Sequence, residues 1–259
     1  CEAMGIRGAA IATVIGQFVG AFAALVFNRI KNPVIHVSFK GYHFVWKDVA
    51  DIYRVGLPTI IMQAIGSFMT FALNSILLGV SSTAVAFFGI YYKLQNFLMM
   101  PVNGLGQSAI PVVGYNYGSG QMDRVKQVWK VLIPTGIVFA LCGTLVFMLF
   151  PSQLLKMFSA SEEMMVFGIP ALRIISVTFV FSVITILCGY FASGLGNGVI
   201  NMIGGALRQL IVLVPVIYVL IQYAGINKAW FAFWISEGIG CLYSLLAVKR
   251  EKQKKNTTM

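Results

Sequence analysis

Residues 84–105 read AVAFFGIYYKLQNFLMMPVNGL, an apolar run interrupted by Lys93, Gln95 and Asn96 within four positions. As a helix it is long enough to cross about 30 Å of hydrocarbon. Whether its polar residues meet water or hydrocarbon decides the fold. The rest of the chain answers. Of 259 residues, 58% are hydrophobic and 10% charged, and the mean hydropathy is +0.84, whereas an ordinary soluble domain is about 25% charged. The 19 basic and 8 acidic residues are too few to cover a water-facing surface of this size. The sequence is that of an integral membrane protein.

Stretches of comparable length recur at about 8–28, 55–80, 84–105, 131–150, 166–192, 199–222 and 226–248. They are apolar all round, so they predict seven transmembrane helices and an all-α polytopic fold, not barrel strands that alternate over about ten residues. Prolines at 58, 101, 134, 170 and 215 predict kinks or broken helices.

The net charge of +11 is distributed by topology. Arg29, Lys31, Lys40, Lys47 and Arg54 fall in the first loop, Arg124, Lys126 and Lys130 in the third, and Lys249, Arg250, Lys252, Lys254 and Lys255 in the tail. With seven spans these regions share one side, and only Lys156 and Lys228 occupy the loops of the other. The positive-inside rule therefore places the loop 29–54 and the tail in the cytoplasm. The tail suits contact with anionic membrane lipids. No aromatic or motif context accompanies the basic residues, which excludes nucleic acid as a partner.

Enzymatic and metal signals are missing from the sequence. Cys1, Cys142, Cys188 and Cys241 lack the spacing of a metal site or disulfide and read as packing residues. His36 and His43 lie in the first loop without a third ligand. GYNYGSGQ (114–121) lacks the lysine of a phosphate loop and reads as a flexible cytoplasmic turn. No cofactor is implied.

An internal repeat appears at an offset of 220 residues. GIRGAAIATVIGQFVGAFAAL (5–25) aligns without gaps to GINKAWFAFWISEGIGCLYSL (225–245), with identities at Gly5/Gly225, Ile6/Ile226, Ala9/Ala229, Ala12/Ala232, Ile15/Ile235, Gly20/Gly240 and Leu25/Leu245. If each member is the last helix of a unit, the units have six helices and are parallel repeats. With Cys1 at the start and one orphan helix, the chain reads as the C-terminal portion of a protein of about twelve spans. Residues 1–28 are then the last helix of an N-terminal lobe missing here, 29–54 an inter-lobe linker, 55–248 a six-helix lobe and 249–259 a basic tail. WKDVADIYRVGLP (46–58) predicts an interfacial helix leading into the second span.

Lys93, Asn96, Met100, Asn103 and Gln107 step by threes and fours, which predicts one helical face. Polar groups in hydrocarbon are costly, a central lysine about 2.5–3.5 kcal/mol, so that face must point into protein or water. The second span adds Gln63 and Asn74, the sixth Arg208 and Gln209, and the seventh Ser236 and Glu237. Glu237 lies mid-span, too deep to snorkel, and invites pairing with a buried cation. Such groups are either interhelical staples or the lining of a watery cavity for substrate or ion. We favour the cavity for Lys93 and packing for Gln63, Asn74 and Gln209. Met99 and Met100 offer an adaptable apolar wall.

GLPTIIMQAIGSFMTFALNSILLG (56–79), followed by AVAFFGIYYKLQNFLMMPVNGLGQSAIPVVGYNYGSG (84–120), resembles the seventh and eighth helices of the multidrug and toxic compound extrusion (MATE) family, in its bacterial staphylococcal-type branch. The resemblance covers the whole chain as helices six to twelve. It implies two six-helix lobes around a V-shaped cleft in a bacterial inner membrane, and alternating access. It also implies secondary antiport of cationic or amphiphilic small molecules against a proton or sodium ion. One branch carries a coupling glutamate in its seventh helix, but near Pro58 this chain has Gln63 and Gly66. Others rely on an aspartate in the first helix, outside this sequence. Two alternatives remain: a flippase of the same superfamily for lipid-linked precursors, which Lys93 and Arg208 would suit, and a seven-helix receptor, which the repeat argues against. No nucleophile and base or paired carboxylates suggest a membrane enzyme.

Overall fold

The computed structural model describes residues 5–31 and 43–257. Cys1, His36 and Lys40, on which expectations were placed above, lie outside the described residues. The chain divides into two compact units, 1–51 and 52–259. The first contains α1 (Gly5–Lys31) and the start of α2 (Trp46–Leu78). Phe18, Phe22 and Ile30 of α1 are exposed. Near the start of α2, Phe44 meets Trp46 edge-on at 5.0 Å.

The second unit is a helical bundle. After the rest of α2 come α3 (Ser82–Gly118), α4 (Met122–Leu149), α5 (Pro151–Lys156), α6 (Glu162–Ser176), α7 (Phe179–Gly194), α8 (Gly198–Ala206), a π turn (Leu207–Ile211), α9 (Leu213–Ala224), α10 (Ile226–Ala229) and α11 (Ala232–Thr257). Ala10–Lys31, Ile60–Leu78, Met122–Leu149, Gly198–Ala224 and Ile226–Gln253 are long and apolar enough to cross a membrane, and the bent pair α6–α7 adds a sixth if read as one span. All seven expected stretches are helical. The expected apolar span at 84–105 differs: α3 runs for 37 residues and is not among these apolar segments, because it carries the polar positions.

Central to the bundle is α7, which packs against α3, α4, α8 and α11. Phe179, Val183, Leu187 and Phe191 are fully buried along it. Aromatic pairs tie the helices edge to face, Phe147 to Phe179 at 5.0 Å and Trp129 to Phe191 at 4.9 Å, an arrangement that aligns ring edges with ring faces. At Gly106 of α3 an added Cβ would overlap the Tyr190 ring of α7. Glycine is what allows that close crossing.

The breaks in the helices have local causes. Between α6 and α7 the axis turns by 47°, not at Pro170, which stays inside α6, but at Val177–Thr178. There the hydroxyl of Thr178 donates to the Ile175 carbonyl (2.7 Å) and that of Thr144 on α4 donates to the Ser176 carbonyl (2.9 Å). These hydroxyls satisfy carbonyls that the bend frees. Pro215 lacks the N–H that would bond to Ile211, and its ring crowds that carbonyl. The π turn ends at Ile211, with Val212 N–H donating back five residues to Leu207 (3.1 Å).

One sequence expectation is corrected. GYNYGSGQ is not a turn throughout: α3 continues to Gly118, Asn116 is buried, and its amide donates to the Val112 carbonyl (2.8 Å). Only Ser119–Gln121 turn, through Gly120 at φ +74°, where a glycine is unstrained. Residues 46–58 are helical and lead without interruption into the rest of α2.

Charged residues occur at both ends of the bundle as well as inside it. At one end Lys252 of α11 sits 3.5 Å from the Trp129 ring of α4 and 4.7 Å from Phe191 of α7, and Asn197 donates to Glu251 (3.0 Å). Arg124 and Lys126 belong to the start of α4, and Lys249 and Arg250 precede Lys252 on α11. At the other end Ser81 and Ser161 cap α3 and α6, Thr83 reaches Glu163 (3.3 Å), and Phe87 stacks edge-on with Trp230 (5.0 Å). Lys156 and Lys228 belong to α5 and α10 at that end.

Candidate functional site

Within the second unit a cavity of about 920 Å³ opens between α2, α3, α7, the π turn and α11. From α2 come Gln63, Ser67, Thr70 and Asn74, stepping by four, three and four along one face. The Thr70 hydroxyl donates to the Gly66 carbonyl (2.9 Å), which leaves its second face to the cavity. From α3 come Tyr92, Gln95, Asn96, Met99, Asn103 and Gln107. Tyr190 of α7 faces α3, and its hydroxyl donates to the Asn103 side-chain oxygen (3.4 Å).

The charged part of the wall is a single ion pair. Arg208 of the π turn donates through Nη1 to Oε1 of Glu237 on α11 at 2.9 Å, with both side chains largely buried, 12% and 5% exposed. Among the described residues Arg208 Nε and Glu237 Oε2 are buried without a well-formed hydrogen bond, with Ser182 lying beside the carboxylate. The wide turn aims neighbouring residues together: Arg208 and Gln209 both line the cavity, although on a regular helix they diverge by about 100°. Irregular turns of this kind recur at functional sites.

Of the ten residues singled out in the sequence, eight line this one cavity: Gln63, Asn74, Asn96, Asn103, Gln107, Arg208, Gln209 and Glu237. Gln63, Asn74 and Gln209, favoured above as packing staples, are among them. Lys93 and Met100 are not. Both are exposed, and helical geometry explains it: at about 100° per residue Lys93 lies roughly 80° around α3 from Asn103, on the edge of the stripe. Phe97 points outward at 77% exposure, while Leu94 packs on the core. The buried cation that meets Glu237 is therefore Arg208 and not Lys93.

Sequence reasoning passed over Ser67, Thr70, Tyr92, Gln95 and Tyr190. The α2 pair was legible, since Gln63, Ser67, Thr70 and Asn74 repeat the spacing that singled out α3. Nothing in the sequence marks Tyr190, which reaches the cavity only because Gly106 lets α7 and α3 approach. Chemically the cavity offers amides, hydroxyls, aromatic rings and methionine around a neutralised ion pair. It can hold a polar head by hydrogen bonds and an apolar body by stacking. Among the described residues, no three His, Cys, Asp or Glu side chains cluster as metal ligands.

Residues 58–219 match the family model MatE. The chain is 27% identical over 248 residues to the multidrug export protein MepA of Staphylococcus saprophyticus, which covers 95% of this chain and 54% of that protein. It is 24% identical over 248 residues to MepA of Staphylococcus aureus, with the same coverage. The chain thus spans about half the length of the curated relatives it matches. Its fold is similar to that of an outward-facing multidrug resistance MATE family transporter of the MOP superfamily, with a TM-score of 0.88 at 22% identity over 98% of this chain and 58% of that one. A MOP superfamily transporter from Pyrococcus furiosus, for which a reverse polarity of the binding pocket suggests a different function, has a TM-score of 0.88 at 23% identity, with the same coverage.

Proposed function

This chain belongs to the MatE family, and on that footing we propose that it exports cationic or amphiphilic small molecules across a bacterial inner membrane. In this reading the 52–259 unit works as one lobe of a two-lobe secondary transporter, opposite a lobe equivalent to 1–28 and its predecessors in longer relatives. Alternating access carries the substrate, a proton or sodium gradient drives it, and the basic end of the bundle faces the cytoplasm. The observation that carries the reading is the cavity itself. Eight polar positions from four separate chain segments converge on one space of about 920 Å³, a convergence that isolated staples would not produce.

A flippase for anionic lipid-linked precursors would call for a cationic cavity. Arg208 is neutralised by Glu237 at 2.9 Å and Lys93 lies outside the lining, which favours the exporter. The test is efflux of a fluorescent lipophilic cation from a pump-deficient bacterium expressing the complete gene. Expression should lower dye accumulation, and Asn103→Leu with Gln107→Leu should restore it at equal membrane abundance. Equal accumulation with and without the protein, across several cationic dyes, would remove the proposal.

A further inference from the structure

Glu237, Cys241, Ser244 and Val248 mark the inner face of α11; all are buried, at steps of four, three and four. Lys252 is the next residue on that face. Lys249 and Arg250 beside it are exposed, whereas Lys252 is partly buried. Its ammonium sits 3.5 Å from the Trp129 ring of α4 and 4.7 Å from the Phe191 ring of α7. The two rings meet edge to face at 4.9 Å and form a corner around the charge, which the electron-rich ring faces attract. Among the described residues, no carboxylate lies within ion-pair reach of Lys252. The neighbouring Glu251 instead accepts a hydrogen bond from the Asn197 amide (3.0 Å), in the turn between α7 and α8. Adjacent side chains thus fasten the end of α11 to α4, to α7 and to the α7–α8 turn.

Deeper in the bundle the same face is held differently. A Cβ on Gly204 of α8 would come within 2.8 Å of the Ser244 hydroxyl, and one on Gly240 within 3.1 Å of the Arg208 Cβ. Helices packed this closely do not part without disturbing the core. At Lys252 the hold is one cation–ring contact and one hydrogen bond, together worth about a tenfold to hundredfold bias, which can break and re-form while the core stays packed. We infer that the end of α11 is a releasable clasp: Lys252 in the Trp129–Phe191 corner and Glu251 on Asn197 shut this end of the bundle, and their release opens the space between α4, α7 and α11 while the deeper packing persists. Cys188 is the natural reporter. It is fully buried on α7, almost one turn before Phe191, and lies about 4.5 Å deeper along the helix axis. Cys241 lies about 16 Å below Lys252 along α11, in the part that stays closed. In the export reading the clasp is a gate at this end of the lobe, but the clasp itself does not depend on that reading.

The complete transporter, purified in detergent, is prepared with Cys188 as its sole cysteine, and its labelling by N-ethylmaleimide is timed by mass spectrometry. Lys252→Gln, which removes the charge at similar length, should speed labelling about threefold to thirtyfold, as should Trp129→Leu. The two substitutions together should label no faster than the faster single variant, since both remove the same contact. Asn197→Ala, acting on the other tether, should speed labelling about fivefold. Lys252→Arg, whose planar guanidinium stacks on aromatic rings, should keep labelling slow, and Lys249→Gln should change nothing. With Cys241 as the sole cysteine, none of these substitutions should speed labelling. Trp129→Phe keeps a ring with a weaker face and should give an intermediate rate, which preserves the test if a more drastic variant does not fold. Unchanged labelling of Cys188 in Lys252→Gln and Trp129→Phe, fully multiplicative effects in the double variant, or equal acceleration at Cys241 overturns the clasp. Labelling as expected in a protein that exports no dye removes the export reading and leaves the clasp standing.

Discussion

Replacing Gly106 with alanine puts a methyl group where the Tyr190 ring now lies, overlapping Cδ2 and approaching Cε2 and Cγ within 2.7 and 2.8 Å. Because Cγ anchors the ring, rotating the far end of the side chain does not clear the clash, and the whole ring must move. Overpacking of this kind costs about 1–3 kcal/mol, against which alanine regains about 0.5–1 kcal/mol of helix preference over glycine. The net expectation is a loss of about 1–2 kcal/mol. Displacement of the ring also breaks the hydrogen bond from Tyr190 to Asn103 at 3.4 Å. Gly104, two residues earlier on the same helix, has nothing within 4 Å of its added Cβ and serves as the control: Gly104→Ala should be neutral or slightly stabilising. Thermal unfolding of the detergent-solubilised protein, followed by size-exclusion fluorescence, ranks the variants. The decisive comparison is the background of Tyr190→Ala, where the clash is gone and Gly106→Ala should cost nothing. An undiminished cost in that background, or equal effects at Gly104 and Gly106, would refute the close-approach reasoning.

The ion pair gives a second test: Arg208→Ala should lower stability by about 3–5 kcal/mol by stranding a buried carboxylate, whereas Arg208→Met combined with Glu237→Leu should recover most of it in the same unfolding assay. Lys93→Ala should leave binding of a cationic dye within about twofold of the unsubstituted value, because the ammonium lies off the cavity wall; a tenfold change in dye titration would place it back in the site. Cysteine introduced at Ser119, in the exposed turn after α3, should react with an impermeant maleimide only after cells are opened, in a variant lacking its own cysteines; labelling of intact cells would reverse the proposed orientation.

The composition alone decides that this chain lives in lipid, because a water-facing surface needs charges it does not have. Helix period was equally legible, since Asn96, Asn103 and Gln107, or Gln63 and Asn74, recur at steps that only a helix brings to one side. Burial cost then requires that each polar face turn inward, whatever the neighbours are. Which residues on the edge of a stripe reach the cavity is a different matter. Lys93 and Asn96 differ by less than a turn, and the sequence cannot say toward which neighbour the helix is rotated; packing of α3 on α7 through Gly106 sets that rotation, leaving Lys93 outside. The bend at Val177–Thr178 was hidden because its carbonyls are satisfied by Thr144 from another helix, a partner distant in the chain. The choice of Arg208 for Glu237 likewise depends on the π turn before Pro215, whose proline was visible in the sequence but whose rotation of two adjacent side chains into one space exists only once α11 packs beside it.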